Sequence, residues 1–191
     1  MNYINDYEKR EVIGRESLKL LQQKFPNYFK FPIHFTTNQY DVYDAYYHIT
    51  DSTTHTIKKR VIIEIKWRLS LYPDYMLEKK KMDDLIKLRS SLHFNEAEMT
   101  LLYIVFTPNE TILYNIDQIK DQPVSILKAN VATSTSRTNK KDKKVLLLDK
   151  SLGKVLDFAA TEQQILRNIQ IDKILEDTKK QIKGIDIFDN L

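Results

Sequence analysis

The sequence has no cysteine and three glycines in 191 residues. The missing cysteine excludes a disulfide scaffold, a thiolate zinc site and a cysteine nucleophile. So few glycines leave little material for a phosphate-cradling loop or a dinucleotide-binding turn, both of which need glycine where backbone closely approaches phosphate. Long apolar runs are missing too. The richest stretches, residues 100–106 and 145–148, fall far short of the roughly 20 residues that cross a bilayer, so no membrane partner is expected. The first residues, Met-Asn-Tyr-Ile-Asn-Asp-Tyr-Glu, have neither the basic start nor the apolar stretch of a signal peptide, and a cytoplasmic location is expected. No internal repeat is visible. His34, His48, His55 and His93 are scattered without metal-ligand spacing, and no nucleophile elbow surrounds any serine.

Ordinary globular material is present. Hydrophobic residues make up 42 % and charged residues 29 %, enough to bury a core without staples. The length suits one domain with an appendage. The formal charge of +4 divides unevenly: seven acids and five bases from Asp157 onward leave that tail at −2 and residues 1–156 at +6. The positive balance permits a phosphate-bearing partner. The expected division is a domain over 1–156 and a helical tail over 157–191 that covers the core or mediates assembly with a second copy or another protein.

Periodicity gives a coarse map. Residues 6–24 read as an amphipathic helix ended by Phe25-Pro26. A connector with Pro26, Phe29, Phe31 and Pro32 follows. Residues 40–49 read as a strand, and 60–67 alternate Val61, Ile63, Ile65 and Trp67 against Ile62, Glu64 and Lys66. With a turn near Thr53-Thr54, residues 40–68 make a β-hairpin. A helix is expected over 74–90, with Pro73 and Asp74 at its first turn. Strands follow over 99–106 and 111–116 around Thr107-Pro-Asn-Glu110. Residues 130–144 read as a polar, basic loop, 145–148 as a short strand, and 161–184 as a helix capped by Thr161 with Gln164 three residues on.

The chemistry concentrates on the hairpin. Glu64 and Lys66 lie two apart on a strand, so both point to one face. They interrupt an apolar run, where a carboxylate and an amine carry a desolvation cost unless something pairs them. Asp44 falls almost opposite them, and Asp41, three residues earlier, is its rival on the other face. Two carboxylates and the main-chain carbonyl of Ile65 make an oxygen-rich site suited to Mg²⁺, with Mn²⁺ as a substitute. A nearby lysine can position a water or stabilise charge developing on phosphorus. His48 shares the face of Asp44, and the tyrosines of 40–47 pack or stack on a splayed base. Five cations between Arg137 and Lys144, against Asp142 alone, suit salt-dependent phosphate contacts.

The pattern Asp44…Glu64-Ile65-Lys66, on a hairpin between helices, resembles the PD-(D/E)XK nuclease superfamily, with Tyr43 standing where the family has proline. The resemblance covers roughly residues 8–116. It implies a restriction-endonuclease-like αβββαβ core, a mixed α/β sheet flanked by helices. It also implies metal-dependent DNA hydrolysis, endonucleolytic before exonucleolytic. Asp44 and Glu64 would bind the metal with the Ile65 carbonyl, and Lys66 would assist catalysis. Glu16 is the candidate for the carboxylate that members often add on the first helix. Glu78 and Lys81 resemble a helix pattern of phage-type members, Glu78 supporting the site and Lys81 binding nucleic acid. Arg68, Arg137, Lys140, Lys141, Lys143 and Lys144 are the further nucleic-acid-binding candidates. RNA is a second candidate substrate. A catalytically silent DNA-binding or structural protein of a virion or replication complex is the rival expectation. The Lys/Asn/Ile/Tyr-rich composition suits an AT-rich bacterial or phage genome, which places the expected cytoplasm in a bacterium or an infected host.

Overall fold

The computed structural model describes residues 6–37, 41–130, 140–159 and 161–185. Its elements are α1 (Asp6–Lys24), β1 (His34–Phe35), β2 (Ala45–Thr50), β3 (Ile57–Trp67), β4 (Asp74–Glu78), α2 (Lys79–Ser91), β5 (Met99–Phe106) and β6 (Thr111–Asn115). There follow α3 (Ile116–Ile119), β7 (Val124–Asn130), β8 (Lys140–Asp149), a 3₁₀ turn (Lys150–Leu152), β9 (Lys154–Leu156) and α4 (Glu162–Ile185). Six strands form a mixed sheet in the order β1-β2-β3-β5-β6-β9, and β4-β8-β7 form a second, antiparallel sheet. No helix among the described residues is long and apolar enough to cross a membrane.

β3 organises the molecule. It pairs antiparallel with β2 and parallel with β5. Its residues 61–65 are all buried, as expected of a strand covered on both faces. Alternate side chains serve two cores. Val61, Ile63, Ile65 and Trp67 pack with Ile13, Leu18 and Leu21 of α1. Ile62, on the other face, packs with Tyr75 and Leu77 of β4, Met82 and Leu85 of α2, and Leu146 and Leu148 of β8. α1 lies so close to β3 that a Cβ on Gly14 would come within 2.9 Å of Ile65 Cγ2. Glycine is required there for that approach. The protein is therefore mixed α/β, with a mixed central sheet and, among the described residues, four helices, the last of which is α4.

The first helix, the hairpin, β5 and β6 form where periodicity puts them. The expected helix over 74–90 is corrected: Asp74–Glu78 is strand β4, and α2 begins only at Lys79. Tyr75 and Leu77 alternate inward and pair with Leu148 and Leu146 of β8. Pairing with β8 along the whole of Asp74–Glu78 overrides Pro73-Asp74 as a helix start. Glu78 is accordingly the extended N-cap of α2, not a partner of Lys81 on one helical face. The strand expected over 40–49 starts only at Ala45: residues 41–44 are bends and irregular backbone, although Asp44 still bonds β3, and residue 40 lies outside the described residues.

The basic loop expected over 130–144 is also corrected at its end. Residues 140–144 belong to β8 and pair with β7, a strand that the sequence reading lacks. This outer part of the β7–β8 ribbon has no pairing with β4, which stops opposite Val145. Its strand conformation comes from pairing with β7 and needs no apolar alternation. Arg137 lies outside the described residues.

The C-terminal helix opens with a reciprocal capping box. The Gln164 amide donates to Thr161 Oγ1 at 3.2 Å, and the Thr161 amide donates to Gln164 Oε1 at 3.0 Å. Phe158 and Ile165 sit in the core cluster of α1, and Glu162 ion-pairs with Lys9. The beginning of the 157–191 segment is thus part of the core beneath it. A buried Arg89 in α2 makes two 2.7 Å hydrogen bonds to the Asp117 carboxylate in α3, tying the crossover helix to the end of β6.

Candidate active site

The site forms where β2 stops and β3 runs on. The last β2–β3 partners are Ala45 and Ile63, while β3 continues to Trp67. The amides of Arg60 and Arg68 donate to the Glu98 and Phe106 carbonyls. Even-numbered residues of β3 therefore spend their backbone groups on β5, and odd-numbered residues face β2. Beyond Ala45 the odd-numbered groups have no strand to bond. Asp44 supplies the substitute: its amide donates to the Ile63 carbonyl at 2.9 Å, and its Oδ2 accepts the Ile65 N–H at 2.6 Å. The Ile65 carbonyl points to the same open edge as its N–H, by the geometry of a parallel pair.

Glu64 lies across from Asp44 and is 5 % exposed. Its Oε2 is 3.0 Å from Lys81 Nζ, at an angle that makes the contact an ion pair rather than a hydrogen bond. The same ammonium donates to the Val42 carbonyl at 3.1 Å. Burial, and then the like charge of Asp44, push the Glu64 carboxyl up to about 7, with Lys81 and Lys66 pulling the other way. Lys66, one rung along the same face, is half-buried and makes no ion pair among the described residues.

Asp44, Glu64, Ile65 and Lys66 line a cleft of about 330 Å³ with Asp41, Trp67, Arg68, Glu78, Lys81 and Tyr103. Arg68 Nη2 approaches the Met76 carbonyl at 3.4 Å, and the Tyr103 hydroxyl donates to that carbonyl at 2.9 Å. Burial pushes the Tyr103 hydroxyl up to about 12, so it stays protonated as a donor. Glu78 pairs with the buried Lys143 at 2.6 Å, which braces the wall of the cleft.

Several sequence candidates stand elsewhere. Glu16 does not line the cleft; it pairs with Lys19 at 2.6 Å. At about 100° per residue, Glu16 points roughly opposite to Gly14, the residue in contact with β3. The face of α1 that does reach the cleft carries Arg10, Glu11, Gly14 and Arg15. These were missed, and the signal was available: they sit at i, i+1, i+4 and i+5 around the one glycine of the helix. Arg15 is held there by a 2.6 Å hydrogen bond from Nη1 to the Thr36 carbonyl. Asp41 lines the cleft beside Asp44 rather than opposing it across a strand, because neither residue lies in β2. Only Asp44 bonds β3.

The basic residues of β8 divide. Lys143 is buried against Glu78, so it offers no free ammonium to a phosphate. Lys141 and Lys144 are exposed and neither lines the cleft, and Lys140 begins the strand. His55 and His93 hold left-handed backbone at φ 56° and 58°, one in the β2–β3 turn and one after α2. His48 faces the Asp44 side but lies tilted against Tyr46, with planes at 44°, and does not line the cleft.

Among the described residues no three carboxylate or imidazole side chains converge as a metal cluster. The oxygens that Asp44, Glu64 and the Ile65 carbonyl could offer are all hard donors, of the kind Mg²⁺ prefers. A buried carboxylate beside a second one, raised in pKa by both, fits a site that a divalent cation would relieve. No protein-family model matches the chain, and no curated protein matches it.

Proposed function

We propose that this protein is a metal-dependent nuclease of the PD-(D/E)XK type that hydrolyses DNA phosphodiester bonds. One observation carries the reading: Asp44 reaches across the end of β2 to bond the Ile65 amide, opposite a buried Glu64 and one rung from Lys66. The order of helix, antiparallel hairpin, crossover helix and parallel strand agrees with the αβββαβ core of that superfamily.

Asp44, Glu64 and the Ile65 carbonyl would hold Mg²⁺, or Mn²⁺ in its place. When bound, the metal polarises the phosphate and lowers the pKa of bound water. The chain's own groups do the rest. Lys66 orients the attacking water and stabilises negative charge growing on the phosphate oxygens. Lys81 favours the ionised form of Glu64 and fixes Val42 beside it. Arg68, Arg10 and Arg15 give the cleft a cationic rim for the flanking phosphates. Lys141 and Lys144 add sequence-independent affinity further out. The working compartment on this reading is the cytoplasm of a bacterium or of a phage-infected cell.

The test is incubation of the purified protein with plasmid, single-stranded and branched DNA, with Mg²⁺ or EDTA. Cleavage in Mg²⁺ alone, lowered by about 100-fold or more in Lys66→Ala, is the expected result. Equal cleavage by wild type and Lys66→Ala overturns it. A second reading, a catalytically silent DNA-binding protein, has one observation in its favour: Glu64 already has a cationic partner in Lys81. Salt-sensitive DNA binding with no Mg²⁺-dependent cleavage selects that reading.

A further inference from the structure

One rung from the two carboxylates, the same face of the sheet carries rings instead of aliphatic side chains. Tyr46 is two residues beyond Asp44 and pairs with Ile62, so it stands about 7 Å from the Asp44–Glu64 rung. His34, its partner on β1, stacks on it with centroids 5.1 Å apart and planes at 26°. His48 lies against it at 5.4 Å, and Tyr43 meets it edge-on at 6.1 Å. Tyr43, Tyr46 and His48 are half-buried, and His34, on the edge strand, is exposed. No described ring covers the outer face of His34. The other face of β2 carries the buried Ala45 and Tyr47 of the core, so the ring column is confined to the cleft side. The charged groups at the column are Arg60, across from His48, and Asp41, beside Tyr43.

We infer that the His34–Tyr46–His48 column is a stacking surface for the bases of single-stranded DNA entering the cleft. The inference rests on the nuclease reading of the cleft and names its substrate class. A base offers its π-face to protein rings only when it is unpaired and splayed; in a duplex both faces are taken by neighbouring bases. The exposed plane of His34 extends the column by one more ring, and a base is the ring that a DNA strand brings. The column stands beside the cleft rather than lining it, on the face of the sheet that carries Asp44 and Glu64.

The experiment measures binding by fluorescence anisotropy, in EDTA so that no strand is cut. The probes are a short labelled oligothymidine, the same backbone with abasic sites, and a duplex of equal length. The expected result is that wild type binds the oligothymidine about tenfold more tightly than the abasic strand. His34→Ala, at an exposed position, brings the oligothymidine down toward the abasic value and leaves the abasic and duplex affinities unchanged. Equal affinity for normal and abasic strands overturns the inference, as does absence of single-strand binding, or a His34→Ala loss that is the same for the duplex. The abasic comparison uses wild-type protein alone, so a folding defect cannot produce it. Lys66→Ala separates the two claims. Undiminished cleavage by that variant removes the nuclease reading, whereas the binding comparison decides the column alone.

Discussion

Glu64 is the residue on which the site's electrostatics turn. In the unfolded chain its carboxyl titrates near 4.5; in the fold, burial and Asp44 raise it to about 7. The folded state therefore holds a proton that the unfolded state has lost between those values. Stability from this group is full below about pH 4.5 and falls as pH rises through about 7, by up to roughly 3 kcal/mol. Glu64→Gln should then raise the melting temperature at pH 8 and leave it nearly unchanged at pH 4, which thermal melts across that range would check. Mg²⁺ should raise the melting temperature of wild type at pH 8 and that of Glu64→Gln much less, because the ion binds the charged carboxylate. A Mg²⁺ effect equal in both proteins would remove Glu64 from the ligand set. Lys143 makes a contrast with its neighbours. Buried against a Glu78 that is itself 39 % exposed, its replacement by alanine should cost about 1 kcal/mol in a denaturant titration, because the carboxylate left behind is solvated.

At the scale of elements, contacts of α1 and α4 set what each helix tolerates. Gly14→Ala gains helix propensity but drives a methyl toward the stiff Ile65 side chain. We expect a net loss of about 1–3 kcal/mol in chemical denaturation, with reduced cleavage, because the displaced helix carries the Arg10–Arg15 face of the cleft. Thr161→Ala removes one arm of the capping box and should cost about 1 kcal/mol, read as a lower melting temperature without a change in DNA affinity. Helix α1, the hairpin turn and the cap of α4 were legible because each is a local signal: a period, a polar break, a Thr and a Gln three residues apart. β4 and the start of β8 were not. Asp74–Glu78 is too short for its period to outweigh Pro73, and its strand conformation comes from pairing with β8, some 70 residues away in sequence. Residues 140–144 are strand because β7 lies beside them, which no local pattern announces.

Across the whole molecule, charge is the property that reaches furthest. Residues 1–156 carry +6 and the segment from Asp157 onward −2, while the cleft lining itself balances Arg10, Arg15, Lys66, Arg68 and Lys81 against Glu11, Asp41, Asp44, Glu64 and Glu78. DNA affinity should fall steeply with salt. Replacing exposed Lys141 and Lys144 together by glutamate should flatten that dependence and weaken binding about equally for all sequences, as measured by anisotropy over a salt series. The same pair should leave the melting temperature nearly unchanged, since neither side chain is buried. By itself the sequence determined the chemistry available: no thiol, little glycine for a nucleotide loop, and a carboxylate–lysine pair two apart on an apolar strand. It also located Asp44 against Glu64, because a hairpin's register follows from its turn. What only the tertiary structure decided is which surfaces converge on that pair. β2 ends before β3 does, so Asp44 takes the place of a missing strand partner. α1 offers the face that carries Glu11 rather than the one that carries Glu16, because Gly14 must lie against Ile65. Lys81 reaches Glu64 from a helix that starts only after β4 has paired with β8. Each depends on contacts between segments distant along the chain, and local periodicity carries no record of them.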